Sequence, residues 1–139
     1  MANWDDVSRI VAELPETAEL TDRNGLLSWR VRAKPLAWER PLRRSDLAEL
    51  GAAAPDGPIL AARVPDLGAR AALLADPSGV YFITSHFADY PAILVKLPEI
   101  AVAELRELLV EAWFGQAPKR LAAAYRDRLE IGPGMSTED

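Results

Sequence analysis

Residues 79–113 read GVYFITSHFADYPAILVKLPEIAVAELRELLVEAW, and the fold follows from how this stretch divides. Val80 to Thr84 and Ala92 to Leu97 are short apolar runs rich in β-branched and aromatic residues, each bounded by Pro or Gly, which is the pattern of buried strands. Beyond them the period changes. Ile100, Leu105, Leu108, Leu109, Ala112 and Trp113 recur at spacings that share one helical face, while Glu104, Glu107 and Glu111 take the other. Strand, loop, strand and helix are therefore expected in that order, with the helix lying on a sheet.

Upstream, Asn3 is suited to cap a first helix, with Asp5 and Asp6 in the first turn where the helix dipole favours negative charge. Trp4, Val7, Ile10, Val11 and Leu14 form its apolar stripe, and Pro15 stops it. From Leu27 to Val31 the chain alternates, Leu27, Trp29 and Val31 on one side and Ser28, Arg30 and Arg32 on the other. Leu36 and Trp38 continue the inward pattern, so a β-hairpin is expected with its tip at Arg32 to Pro35 and both tryptophans facing inward. The tip lacks the Gly or Asn that a tight turn prefers. Ser45 is the expected cap of a short helix, Asp46 to Leu50, closed by Gly51. Ile59 to Val64 reads as a third strand. Asp66 caps a helix with Leu67, Arg70, Ala71 and Leu74 at helical spacing. Pro118 opens a last helix, Lys119 to Leu129, facing the core through Leu121, Tyr125 and Leu129. The polar run Gly132 to Asp139 reads as a flexible tail. The order of elements predicts one α+β domain over residues 1–131, with a mainly antiparallel five-stranded sheet and helices packed around it.

Composition narrows the class. At 139 residues, half of them hydrophobic, the chain is long enough for one core and needs no cross-links. There is no cysteine, so disulfides and thiolate chemistry are excluded, and a reducing cytoplasm is the expected compartment. No run approaches the roughly 18 apolar residues of a membrane span, and Met1 to Asp6 is acidic where a signal peptide is basic. A monomer with no membrane contact is expected. The net charge is −5 but unevenly spread: residues 30–44 hold Arg30, Arg32, Lys34, Arg40, Arg43 and Arg44 against Glu39, or 6 − 1 = +5, which leaves −10 for the rest. Such a segment suits phosphate contacts. It also suits a solvated strand face whose charges discourage edge pairing, the commoner role of such a run. Trp29 and Trp38 read as core rather than stacking platforms, because a platform would have to point the way Arg30 and Arg32 point.

Catalytic signatures are missing from the sequence. His86 is the only histidine. It stands in SHFADYP beside Ser85 and near Asp89, but neighbouring residues on an extended chain diverge, and no nucleophile elbow is present. One histidine without cysteine makes a poor metal set. No metal, cofactor or catalytic residue is expected, and no glycine-rich phosphate loop is found.

Several of these segments together resemble the MmcQ/YjbR family. They are GPILAARV at 57–64, the hairpin GVYFITSHFADYPAILVKL at 79–97, ELRELLVEAW at 104–113, APKRL at 117–121, and Val31, Lys34, Ala37 and Trp38 within VRAKPLAWERP. The resemblance covers about Val7 to Leu129 as a whole pattern, without a catalytic motif. It implies a secretion-chaperone-like arrangement of helices and antiparallel sheet, and a DNA-binding label attached to two projecting hairpins. Arg32 and Ala33 stand where that family usually has glycines at the first hairpin tip. Three functions follow as expectations: weak, sequence-independent DNA binding through the basic hairpin; a protein-interaction module; and a small-molecule binder with a pocket lined by Tyr81, Phe87 and Tyr90.

Overall fold

A computed structural model describes residues 1–136. Its helices are α1 (Trp4–Ala12), α2 (Arg44–Leu50), α3 (Leu67–Leu74), α4 (Val102–Gln116) and α5 (Lys119–Ser136). Its strands are β1 (Thr17–Thr21), β2 (Leu27–Val31), β3 (Lys34–Glu39), β4 (Ile59–Arg63), β5 (Tyr81–Phe82) and β6 (Ala92–Lys96). The strands form one open antiparallel sheet in the order β1-β2-β3-β4-β6-β5. The α+β class is thus observed, with six strands where five were expected.

The additional strand is β1. Its sequence, TAELT, lacks an apolar alternation, and all but Thr17 are exposed, as befits an edge strand with only one neighbour. The last helix also runs further than expected. Residues 132–136, read above as tail, continue α5, while 137–139 lie outside the described residues.

Helix α1 starts as its sequence dictates: the Asn3 side chain accepts from the Asp6 N–H at 2.9 Å and the Asp6 carboxylate accepts from the Asn3 N–H at 2.9 Å, a reciprocal cap. Asp66 caps α3 by accepting from the Ala69 N–H at 2.7 Å. In α2 the cap differs from expectation. The helix begins at Arg44, and the Asp46 carboxylate, not Ser45, holds its start by accepting from the Arg43 N–H at 2.8 Å.

The core lies between one sheet face and helices α1, α4 and α5. It joins Val7, Ile10 and Val11 of α1 to Trp29, Val31, Leu60, Ile93 and Val95 of the sheet and to Leu105, Leu109 and Trp113 of α4. Tyr125 of α5 meets Trp113 edge-on, with ring centres 5.0 Å apart. The apolar stripe expected for α4 is buried as read. Leu108 is 6% exposed, whereas Glu107 is exposed. Leu108→Ala is therefore expected to cost about 2 to 3 kcal/mol, the lower part of the range for buried leucines, and Glu107→Ala only a few tenths. Urea melts of the two variants check this; equal midpoints would mean that α4 presents another face to the sheet.

The β2–β3 hairpin closes with two residues, Arg32 and Ala33, and Val31 pairs with Lys34. Arg32 takes φ 53°, a conformation that favours glycine and costs an L-residue about 1 to 2 kcal/mol. An exposed ion pair with Glu16, 2.6 Å away, offsets part of that. The hairpin carries a further irregularity. Trp29 pairs with Ala37 but Arg30 pairs with Pro35, so Leu36 is an extra residue, a β-bulge. Leu36 and Ala37 both enter the helix-side core, and Trp38 is turned to the opposite face of the sheet.

Candidate functional site

Strand register defines that opposite face. One row of side chains crosses all six strands: Leu20, Ser28, Trp38, Ala61, Leu94 and Phe82. No helix of the main core lies over it. Its β4, β6 and β5 end is covered by the loop 83–91, whose Phe87 is buried against Ile59, Ala61, Ala92 and Leu94. The other end is open: Leu20 is 38% exposed, and Ser28 and Trp38 are half-buried.

A cavity of about 660 Å³ lies at the step between the covered and open halves. Trp38, Phe87 and Tyr90 form its aromatic wall, with Trp38 6.4 Å from each of the other two ring centres and edge-on to Tyr90. The cavity's volume falls within the range of small-molecule sites, about 300 to 1,000 Å³, though one side is open to solvent. Tyr90 is 40% exposed at the rim. His86 is also at the rim, exposed, with its ring 4.8 Å from Phe87 and edge-on to it. The pocket expected from Tyr81, Phe87 and Tyr90 does not exist as such. Tyr81 belongs to the helix-side core, where its hydroxyl donates to the Glu104 carboxylate.

Arg70 supports the wall from behind. Its Nη1 donates to the carbonyls of Phe87 at 2.7 Å, Tyr90 at 2.9 Å and Ala92 at 3.3 Å, and its Nη2 to that of Ala88 at 2.8 Å. Two hydrogens on Nη1 serve three oxygens, so the Ala92 contact is the weakest. Arg70 is 6% exposed. Of Leu67, Arg70, Ala71 and Leu74, which stand at helical spacing on α3, it alone is buried. A buried cation satisfied by several carbonyls has its desolvation compensated by charge-assisted hydrogen bonds. From the α2 side, the Glu49 carboxylate accepts from the Ser85 N–H at 3.1 Å and ties down the start of the same loop.

The basic residues of the hairpin do not form one patch. Arg40, expected at the surface, is 4% exposed. Its Nη1 donates to the Pro41 carbonyl at 2.6 Å and pairs with Asp46 at 3.1 Å, and its guanidinium lies 5.3 Å from the Phe87 ring centre. It is a wall of the cavity, out of reach of a phosphate backbone. Burial pushes the Asp46 carboxyl up, but the Arg43 N–H and the Arg40 charge outweigh that, and its pKa ends below the ordinary value. Arg32 is spent on Glu16. Lys34 is exposed but pairs with Val31, so it leaves on the helix side. Arg30 is exposed and stands two residues along β2 from Ser28, roughly 7 Å away on the open face. Arg43 is exposed at the mouth of the cavity, and Arg44 is exposed at the start of α2. Arg63, unnoticed in the sequence, lies 4.8 Å over the Tyr90 ring and donates to the Pro91 carbonyl at 3.1 Å.

Among the described residues no group of three or more His, Cys, Asp or Glu side chains is suited to hold a metal, and no helix is long and apolar enough to cross a membrane. The chain therefore belongs to the α+β proteins with a half-open antiparallel sheet and an aromatic cavity at the edge of its cover. It belongs to the same family as "Uncharacterized protein Rv2570" of Mycobacterium tuberculosis and "Uncharacterized protein Mb2600" of Mycobacterium bovis. Each is 54% identical to it over 128 residues, covering 90% of this chain and 96% of the relative. No family model and no solved structure matches the chain.

Proposed function

We propose that the protein is a binding module without catalysis, and that its open sheet face holds single-stranded nucleic acid. The observation that carries this is the shared face of Trp38 and Arg30. An aromatic ring and a cation on one sheet face suit a single strand: a base stacks on the ring, and the backbone passes the charge. A duplex is the poorer ligand, since its bases are not available to stack. The net charge of −5 and the carboxylates of the helix side repel nucleic acid elsewhere, which directs it to this face. The resemblance to the MmcQ/YjbR family, with its DNA-binding label, points the same way, and a cytoplasmic monomer is the form in which we expect it to act.

Anisotropy titrations with a labelled single strand test the reading. Affinity is expected to fall log-linearly with salt, with a slope of about −0.7 for each phosphate neutralised. Arg30→Ala should reduce the magnitude of the slope by up to that amount. Trp38→Ala should leave the slope alone and weaken binding by about 1 to 3 kcal/mol, the worth of one stacked base. Absence of binding at low salt, or a duplex bound more tightly than the single strand, would overturn the proposal.

A further inference from the structure

The cavity beside Trp38 has a polar side that stacking alone does not use. Asp22 and Glu39 both line it. Each commits one carboxylate oxygen to the backbone: Asp22 Oδ1 accepts from the Asn24 and Leu26 N–H groups at 2.7 and 3.0 Å, and Glu39 Oε1 accepts from the Leu27 N–H at 3.1 Å. These bonds orient the carboxylates. Asp22 Oδ2 and Glu39 Oε2 accept no hydrogen bond among the described residues. The buried Arg40 lines the same cavity through its side chain, while its Nη2 is shut off from solvent and has no partner among the described residues. Three aromatic rings and two oriented carboxylates thus line a space of small-molecule size.

We propose that this cavity takes one unstacked nucleobase and selects bases that carry an exocyclic amine (cytosine, adenine or guanine) over thymine and uracil. The inference rests on the single-strand reading above and adds to it the chemistry of the base. An amine facing a carboxylate makes a charge-assisted hydrogen bond. Thymine and uracil present a carbonyl oxygen where cytosine has its amine, and acceptor would then face acceptor. The same two carboxylates repel phosphate, so the backbone must run outside the cavity, past Arg43 at its mouth and Arg63 over Tyr90. The base enters first and the phosphates stay in solvent.

Homopolymers of roughly twelve nucleotides, within the span of small single-strand modules, test this by anisotropy at one fixed salt concentration. Deoxycytidine and deoxyadenosine strands are expected to bind about tenfold more tightly than a deoxythymidine strand. In the double variant Asp22→Asn with Glu39→Gln, the amide oxygens keep the backbone bonds and the negative charge is gone. Its thymidine affinity should rise, and the preference should fall to near twofold or less, with an unchanged melting temperature. Equal binding of all three strands by the wild type, with the salt slope intact, would overturn the base selection while the single-strand reading stands. So would a preference for thymidine, or a preference that survives in the double variant. No binding of any strand would overturn the reading of function and this inference with it.

Discussion

Arg70→Ala is expected to destabilise the protein by at least about 3 kcal/mol, the worth of two charge-assisted hydrogen bonds, and to abolish the aromatic wall. The reason is the number of backbone groups that one side chain serves. Phe87, Ala88, Tyr90 and Ala92 all give their carbonyls to Arg70, and two of those contacts, to Phe87 and Ala92, are buried. Without the guanidinium those oxygens lose their donors, and the loop must reopen to water to recover hydrogen bonds. Phe87 would leave the cover of Ile59, Ala61, Ala92 and Leu94 when it does. Arg70→Lys should fail almost as badly, because an ammonium is a point donor and cannot span four oxygens. Thermal melts give the loss of stability, and titration of either variant with a single strand should show that stacking goes with it. A change below about 1 kcal/mol in Arg70→Ala would mean that the loop 83–91 holds its shape through its own apolar contacts.

Asp46→Ala should cost about 3 to 5 kcal/mol, the loss typical when one partner of a buried ion pair is removed. Arg40 would keep its charge at 4% exposure with only the Pro41 carbonyl beside it, and the Arg43 N–H would lose its acceptor at the start of α2. Changing both partners to apolar residues, Arg40→Met with Asp46→Leu, should recover much of that loss, since no charge is then left buried. The pair also sets an acid limit. The folded pKa of Asp46 lies below its unfolded value of about 3.9. Its contribution is therefore fully present above about pH 4 and is lost as pH falls through the depressed folded value. Denaturant midpoints between pH 2 and 6 check the sign: the wild type should lose more stability on acidification than Asp46→Asn, which has no carboxyl to protonate. Parallel curves would show that Asp46 contributes little to the acid limit.

The elements that depend on near neighbours were legible. Gly79 to Trp113 divides into strand, loop, strand and helix as its periods indicate, and the caps at Asn3 and Asp66 form where those side chains stand. Apolar spacing and side-chain caps act within a few residues, so they leave a direct trace in the sequence. β1 left no trace, because a polar edge strand is held by its partner's backbone and not by its own side chains. The basic hairpin was legible as composition and not as a surface. Six cations in fifteen positions are plain to read, but whether each meets solvent, as Arg30 does, or a carboxylate, as Arg32 and Arg40 do, depends on Glu16 and Asp46 arriving from other elements.

Trp38 marks the division most sharply. Alternation alone assigns it to the side of Trp29, and the one hint against this was the apolar doublet Leu36 and Ala37, which a regular half-buried strand does not contain. The local sequence determined that this segment is a strand and that its apolar residues are buried; the tight two-residue turn at Arg32 and Ala33 came from the structure. Which face Trp38 occupies was decided by the pairing of β3 with β2: side chains alternate with a period of two, so the single extra residue at Leu36 inverts everything after it. The cavity, the burial of Arg40 and the clamp of Arg70 on a loop seventeen to twenty-two residues away belong to the same category. They are contacts between distant segments, and they take shape only when the sheet has been assembled.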